Sequence, residues 1–369
     1  MSFKDIYSKY KDMELDKILR EISKTRVEMA LDKEYPDEND YLALLSPAAE
    51  SYLEPMARKA HELTVRNFGR AIVLYTPLYL SDYCSNKCIY CGFRADNSFD
   101  RKKLTYEEVE KEGKAISKTD IRHILILTGE SEKHTDLEYL KNCVKILKKY
   151  FSSITVEIYP MTTEGYKELV TEGVDGLTIY QETYDEDIYH KVHLKGPKRD
   201  YDFRLDAPER GLEAGIRRIN IGALFGLSPW RKEAFFTGLH AWYLQNKYTE
   251  AEVYISFPRL RPFKGEDLDY IHRVTDKNMV QMMLASRLFL PRVGLNLSTR
   301  EAPELRENLL PLGVTRMSAG SVTAVGGYSG EDSGVEQFEV ADHRSVDEIK
   351  SLLLKHRYQP VLKDWEMLS

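Results

Sequence analysis

The chain has 369 residues, 42% hydrophobic and 30% charged, a balance that suits a globular protein with a sizeable core and excludes a disordered or fibrous one. A formal net charge of −6 gives no electrostatic footprint for nucleic acid or an anionic membrane surface. The longest apolar runs, such as 71–75, are too short to cross a bilayer, Met1-Ser2-Phe3-Lys4-Asp5 lacks the apolar core of a secretion signal, and four cysteines do not make a disulfide scaffold, so a cytoplasmic setting is expected.

Residues 1–70 are polar and helical in pattern. Ser46-Pro47 reads as a helix start, with Ser46 as cap and proline at the first helical position. An apolar stripe follows through Tyr52, Met56, Ala60 and Leu63, and Pro55 inside it predicts a kink or a break. This stretch is expected to be a helical extension that packs on, and plugs, the domain that follows.

From residue 71 short β-like runs occur at 71–80, 123–128, 154–159, 176–180, 216–221, 252–257, 294–297 and 314–317. Helical stretches alternate with them. One opens on a capping box of Thr105 and Glu108; another carries Leu137, Leu140, Val144 and Leu147 on one face; others run through 205–214, 233–245, 277–288 and 303–309. Eight strands alternating with helices predict an α/β protein, a (β/α)8 TIM-type barrel over 71–325, with an open doubly wound sheet as the alternative. Residues 326–369 are expected to form a C-terminal extension packing on the barrel. It includes a helix capped by Ser345 and Glu348, and then Gln359-Pro360-Val361-Leu362-Lys363-Asp364-Trp365.

Active-site residues of such a barrel lie where strands end. After the first predicted strand come Cys84, Cys88 and Cys91, spaced C-x3-C-x2-C. Three soft ligands suit a [4Fe–4S] cube with one iron left open; a zinc site, which would have to recruit His123 or His134 because Cys143 lies far off, or a redox pair of Cys88 and Cys91, are the alternatives. Cys143 lies on the apolar face of its helix and reads as core. Tyr90 and Phe93 flank Cys91, where aromatic rings can pack on a nucleobase and keep water from a cluster. After the second strand, Gly129 allows close backbone approach and Glu130 offers a carboxylate to an ammonium group. Glu157 is a carboxylate within an apolar strand and needs a partner. Tyr180-Gln181-Glu182-Thr183-Tyr184 is a dense polar set, with Gln181 and Glu182 as pocket residues. Ser298 and Arg300 follow the seventh strand, and an arginine fork matches a carboxylate. Ser318 ends the eighth.

Cys84-x3-Cys88-x-Tyr90-Cys91 resembles the signature of radical S-adenosylmethionine (SAM) enzymes. Tyr90-Cys91-Gly92-Phe93 and the string 180–184 resemble the aromatic amino-acid lyases among them, in particular the tyrosine-cleaving branch. The resemblance implies a [4Fe–4S] cluster on Cys84, Cys88 and Cys91, whose open iron takes the amine and carboxylate of SAM. It implies Gly129 and Glu130 at the methionyl amine, Glu157 at the ribose, Arg204 at the methionyl carboxylate, and the segment 221–227 against adenine. Ser298 and Arg300, with Ser318, are implied to bind the substrate carboxylate. The implied reaction splits the Cα–Cβ bond of L-tyrosine into 2-iminoacetate and p-cresol for the thiazole of thiamine, while SAM yields 5′-deoxyadenosine and methionine. Thiazole synthase is the implied acceptor and flavodoxin or ferredoxin the electron donor, with Asp100-Arg101-Lys102-Lys103 as a surface to receive it. The sequence departs from the family pattern at Val325, where proline usually precedes the two glycines. A hydrogenase-maturation tyrosine lyase, which uses a second cysteine-bound cluster, is the nearest alternative, but no cysteine follows Cys143. A tryptophan lyase and a non-catalytic iron–sulfur or zinc module are the others.

Overall fold

The computed structural model describes residues 2–261, 272–330 and 334–364; Pro262 after the sixth strand and Trp365 in the tail lie outside them. Nine strands form one parallel sheet: β1 (Ala71–Ser81), β2 (His123–Thr128), β3 (Ser153–Glu157), β4 (Gly176–Thr178), β5 (Arg218–Gly222), β6 (Glu252–Ser256), β7 (Gly294–Leu297), β8 (Arg316–Ser318) and β9 (Gln359–Val361). The long β1 closes the barrel by pairing β8 through Val73–Tyr75 and β2 through Thr76–Ser81. Closure excludes the open-sheet alternative. A register shift between Tyr79 and Ser81 bends the end of β1, as bulges at barrel rims do, and this is where the thiol loop departs.

The helices start where local chemistry predicts. Thr105 with Glu108 and Ser345 with Glu348 both form reciprocal capping boxes. Ser46 does not cap: its hydroxyl donates to the carbonyl of Ala43 at 2.7 Å. A 3-10 turn, Pro47–Tyr52, precedes the helix Leu53–Phe68, so the expected break falls just before Pro55, which is tolerated in the first turn.

The N-terminal extension does not plug the barrel. It packs outside, on the helices Trp230–Lys247 and Asp276–Phe289, which are buried nearly all round because barrel and extension sandwich them. Phe3 stacks on His240 with centroids 3.9 Å apart, and the Tyr41 hydroxyl donates to the carbonyl of Ala234 at 2.8 Å. A Cβ at Gly238 would fall 2.3 Å from the Tyr41 ring, so this close approach requires glycine.

The N-terminal mouth is instead reached by the tail. β9 pairs the start of β1, and Asp364 beyond it sits 3.0 Å from Nε2 of His123 and 3.5 Å from the guanidinium of Arg218. Burial opposes the Asp364 charge, but these partners outweigh it and hold the carboxyl well below its usual range. Above this floor the barrel interior carries a chain of hydrogen bonds rather than an aliphatic layer. Asn220 donates to Thr178 (3.3 Å), Ser256 donates to Asn220 (3.0 Å), and Asn296 donates to Ser256 (2.9 Å) and Tyr75 (3.2 Å). The barrel centre is thus polar beneath the cavity at its C-terminal mouth.

Candidate active site

The loop that leaves β1 is held by three neighbours. From β2's exit, the carbonyl of Glu130 accepts the N–H of Ser85 (2.9 Å) and its carboxylate accepts the Asn86 amide (2.9 Å). From the end of the helix Glu186–Val192 and the segment after it, the carbonyls of Val192 and Lys195 accept the N–H groups of Ile89 (3.0 Å) and Lys87 (2.9 Å). Arg101 gathers the carbonyls of Asp82 (2.6 Å), Phe93 (2.8 Å) and Arg94 (2.6 Å), and stacks on Phe99. Arg101 is therefore spent on the loop's own backbone. Lys102 pairs with Glu108, and Lys103 lies over Tyr139 yet stays exposed, so within the stretch 100–103 Asp100 and Lys103 remain at the surface.

Cys84, Cys88 and Cys91 all face one cavity, together with Tyr90, Phe93, Gly129, Glu130, Glu157, Glu182, Arg204 and Arg300. Burial first, then neighbouring negative charge, pushes the Cys84 thiol up to about 11, and burial also raises Cys88 and Cys91. Buried thiols that resist ionisation alone release their protons when a cation binds. Among the described residues no three such side chains converge on one point as a mononuclear metal demands. Three thiols on one loop, facing a cavity without converging, suit ligands to separate irons of a cluster. Cys143 is fully buried in the core, as expected.

Tyr90 is fixed from behind. Nδ1 of His193 lies 2.8 Å from the Tyr189 carbonyl, which only accepts, so Nδ1 carries the proton and Nε2 accepts from the Tyr90 hydroxyl at 2.7 Å. Burial, with the charges of Lys198 and Arg204, pushes His193 down to about 2 and keeps it neutral.

At the cavity wall two carboxylates and two cations interlock. Arg204 donates to Glu130 (2.9 Å) and to the Tyr180 carbonyl (2.6 Å), and lies 3.5 Å from Glu182. Lys198 donates to Glu182 (2.8 Å) and lies 3.3 Å from Glu130. Burial opposes the Glu130 charge, yet Lys198 and Arg204 overcome it and lower its pKa. Glu182 adopts a left-handed φ of 69°, which a non-glycine residue holds only when its surroundings over-determine it. Its carboxylate faces the cavity. Gln181 does not enter: it is buried between two cavity-facing residues, outside the lining, because successive side chains on the strand exit alternate sides.

Gly129 lines the cavity and is also needed for the packing of the chain itself. A Cβ there would lie 2.4 Å from the Tyr83 carbonyl, so glycine lets the thiol loop cross β2's exit.

Among the described residues Glu157 has no partner at hydrogen-bond distance, and burial, reinforced by Glu182, pushes it up to about 7 from 4.5. Between those values the folded chain binds more protons than the unfolded chain, so this group's contribution to stability falls as pH rises through the window. Urea denaturation of the cluster-free protein should find Glu157→Gln equal to the parent near pH 4.5 and more stable at pH 8 by roughly 1–3 kcal/mol. Equal midpoints at pH 8 would refute this.

A second chamber opens beneath, sharing Glu157, Tyr180 and Arg300 with the first and lined also by Ser298 and Ser318. The Ser318 hydroxyl accepts the N–H of Thr299 (3.0 Å), and the Ser298 hydroxyl accepts that of Arg300 (3.4 Å), so both shape the turn carrying Arg300. Glu301 does not pair with Arg300; Arg259 and Arg261 each reach it at 3.0 Å. Lys198, Asn86 and the tail residues Gln337 and Phe338 also line the first cavity and were not anticipated. Lys198 sits in Lys195-Gly196-Pro197-Lys198-Arg199-Asp200, which looks like a solvated charge run.

A closed parallel barrel that presents three thiols from its first strand to an ionic cavity defines a radical SAM protein. The radical SAM superfamily profile matches residues 78–236, and the Biotin and Thiamin Synthesis associated domain matches 256–359. The chain is 40% identical over 367 residues to the 2-iminoacetate synthase of Salmonella typhimurium, covering 98% of this chain and 97% of that one. It is 40% identical over 341 residues to the 2-iminoacetate synthase of Escherichia coli, covering 92% and 90%. The chain belongs to the 2-iminoacetate synthase family of radical SAM enzymes, whose cofactors are a [4Fe–4S] cluster and SAM. Among solved structures, HydG, a maturase of the [FeFe]-hydrogenase, superposes with a TM-score of 0.86 at 33% identity, covering 98% of this chain and 79% of that one. Methylornithine synthase (PylB) shares the fold, with a TM-score of 0.73 at 20% identity. No helix among the described residues is long and apolar enough to cross a membrane.

Proposed function

We propose that this protein cleaves the Cα–Cβ bond of L-tyrosine to 2-iminoacetate and p-cresol. SAM is consumed to methionine and 5′-deoxyadenosine, and the 2-iminoacetate serves the thiazole of thiamine. The observation that carries the reading is 40% identity over 98% of the chain to a 2-iminoacetate synthase, on a cavity that holds the thiol loop, an ionic wall and Arg300 together.

Cys84, Cys88 and Cys91 would hold the cluster. When bound, the cluster and SAM supply one-electron cleavage of a C–S bond and hence a radical able to take hydrogen from tyrosine. The chain's residues position and shield. Glu130 would accept the methionyl ammonium, Arg204 would face the methionyl carboxylate, and Glu157 would accept from ribose. Tyr90 and Phe93 wall off water beside the thiols. Arg300, on the turn shaped by Ser298 and Ser318, would take the tyrosine carboxylate through its fork. Glu182, held by Lys198 on the wall of the first cavity, is retained as a pocket residue for the reaction, and Gln181, outside the lining, is not. The N-terminal extension (1–70), barrel (71–325) and C-terminal extension (326–369) are proposed to act as one body.

An imine product hydrolyses in water, so direct handover to thiazole synthase is proposed, with flavodoxin or ferredoxin as reductant in a reducing cytoplasm. Anaerobically reconstituted protein with SAM, dithionite and L-tyrosine should yield p-cresol and 5′-deoxyadenosine by chromatography; neither product would end the reading. L-Tryptophan should yield no cleaved indole. Carbon monoxide from tyrosine would instead place the protein with the hydrogenase maturases.

A further inference from the structure

Residues 334–338 of the tail lie across the junction of the two chambers. Gln337 and Phe338 line both. This strap is anchored independently of Arg300. The N–H of Gln337 donates to the Thr323 carbonyl (3.3 Å), and the Thr323 hydroxyl donates to the Phe338 carbonyl (3.1 Å). Tyr79 donates to the Gln337 side chain at 2.8 Å. On the other side the strap lies on the thiol loop: a Cβ at Gly92 would fall 2.9 Å from the Gln337 carbonyl. Phe338 is thus presented by a backbone fixed at both the barrel wall and the cysteine loop.

Its ring meets Arg300. The guanidinium carbon lies 3.4 Å from the ring centroid, and among the described residues no acceptor meets the guanidinium's donors. Its neighbour Glu301 is engaged by Arg259 and Arg261. Stacking uses the face of a guanidinium and leaves its in-plane N–H groups free. An arginine held flat by a ring and turned edge-on to a cavity is pre-aimed at a planar anion.

We propose that Phe338 is a positioning residue that fixes the plane of Arg300, and through it the carboxylate of the amino-acid substrate, relative to the thiol loop. The inference rests on Arg300 being the carboxylate clamp.

The test compares reconstituted holoenzyme carrying Phe338→Ala, Phe338→Trp, Arg300→Gln, or both Phe338→Ala and Arg300→Gln. Binding of L-tyrosine is measured against tyramine, its counterpart without the carboxylate, alongside KM and kcat for tyrosine. Phe338→Ala should cut the preference for tyrosine over tyramine about tenfold and raise KM similarly, with tyramine binding and kcat changed less than about threefold. Phe338→Trp should retain the preference. Arg300→Gln should abolish it, and adding Phe338→Ala should lower it no further. SAM affinity and iron content should stay at parent levels in Phe338→Ala. If Phe338→Ala weakens both ligands alike, or leaves the preference intact while Arg300→Gln abolishes it, the inference is overturned and the clamp stands. If Arg300→Gln keeps the preference, the clamp fails and the inference with it.

Discussion

Replacing Cys88 with alanine should leave a folded protein that holds no [4Fe–4S] cluster. Cys88 is buried, and its neutral thiol contributes packing only, so the cluster-free variant should lose about 1 kcal/mol or less in urea. The loop's shape does not depend on that sulfur; its hydrogen bonds run through the backbone of Ser85, Lys87 and Ile89 and the side chains of Asn86 and Arg101. Iron binding does depend on it. Loss of an outer-sphere partner already costs roughly 10–100-fold at metal sites, and loss of a direct ligand should exceed that. Anaerobic reconstitution should therefore give iron and sulfide near background, no reduced-cluster resonance, and SAM cleavage down by more than about 100-fold. Cys143→Ala, a change in the core, is the control and should keep its iron. Full iron in Cys88→Ala would remove the basis for the site.

Arg204→Met should produce the largest loss of stability among cavity changes. Arg204 is 5% exposed and bonds Glu130 and the Tyr180 carbonyl while flanking Glu182. Without it Lys198 alone faces two buried carboxylates. Removing one partner of a buried pair costs about 3–5 kcal/mol, because the other charge is left uncompensated. The pH dependence identifies the cause. In the parent, Glu130 has a lowered pKa, so its contribution is present above the ordinary value of 4.5 and is lost as pH falls through the folded value. The penalty in Arg204→Met should thus be greatest at pH 7 and shrink toward pH 4 as Glu130 protonates. Arg204→Lys keeps the charge but not the fork, and should fall between. Urea midpoints from pH 4 to 8 test this; a change below about 1 kcal/mol at pH 7 would contradict the ionic wall.

Much of this was legible in the chain. Strands β2 and β7 begin and end where the sequence placed them, because each is a short apolar or alternating run between polar turns. β9 was missed because Gln359-Pro360-Val361 is polar and carries proline, which usually argues against a strand; it survives at the sheet's edge. The thiol loop followed from its spacing at a strand exit; the roles of Glu130 and Glu157 rested on the resemblance to radical SAM enzymes, because a carboxylate at a strand end is by itself no more than a turn residue or half of an ion pair. Lys198 did not, because a lysine beside glycine and proline has no period to betray that a loop folds it inward. Gln181 and Glu182 were equivalent as letters; alternation along the strand exit puts Glu182 in the cavity with Tyr180 and leaves Gln181 behind it, a phase that could be read only once the strand's inward face was known. The basic run 100–103 was legible only in part, since Arg101 satisfies carbonyls that only a folded loop brings together while Lys103 stays exposed.

One stretch of chain touches both openings of the barrel. Residues 334–338 roof the cavity, and some thirty residues later Asp364 reaches the arginine and histidine at the opposite mouth. Roof and floor are therefore two ends of one belt, buckled by the helix Val346–Lys355 between them. Ending the chain before residue 334 would therefore uncover the cavity and strip the opposite mouth of Asp364 in one step.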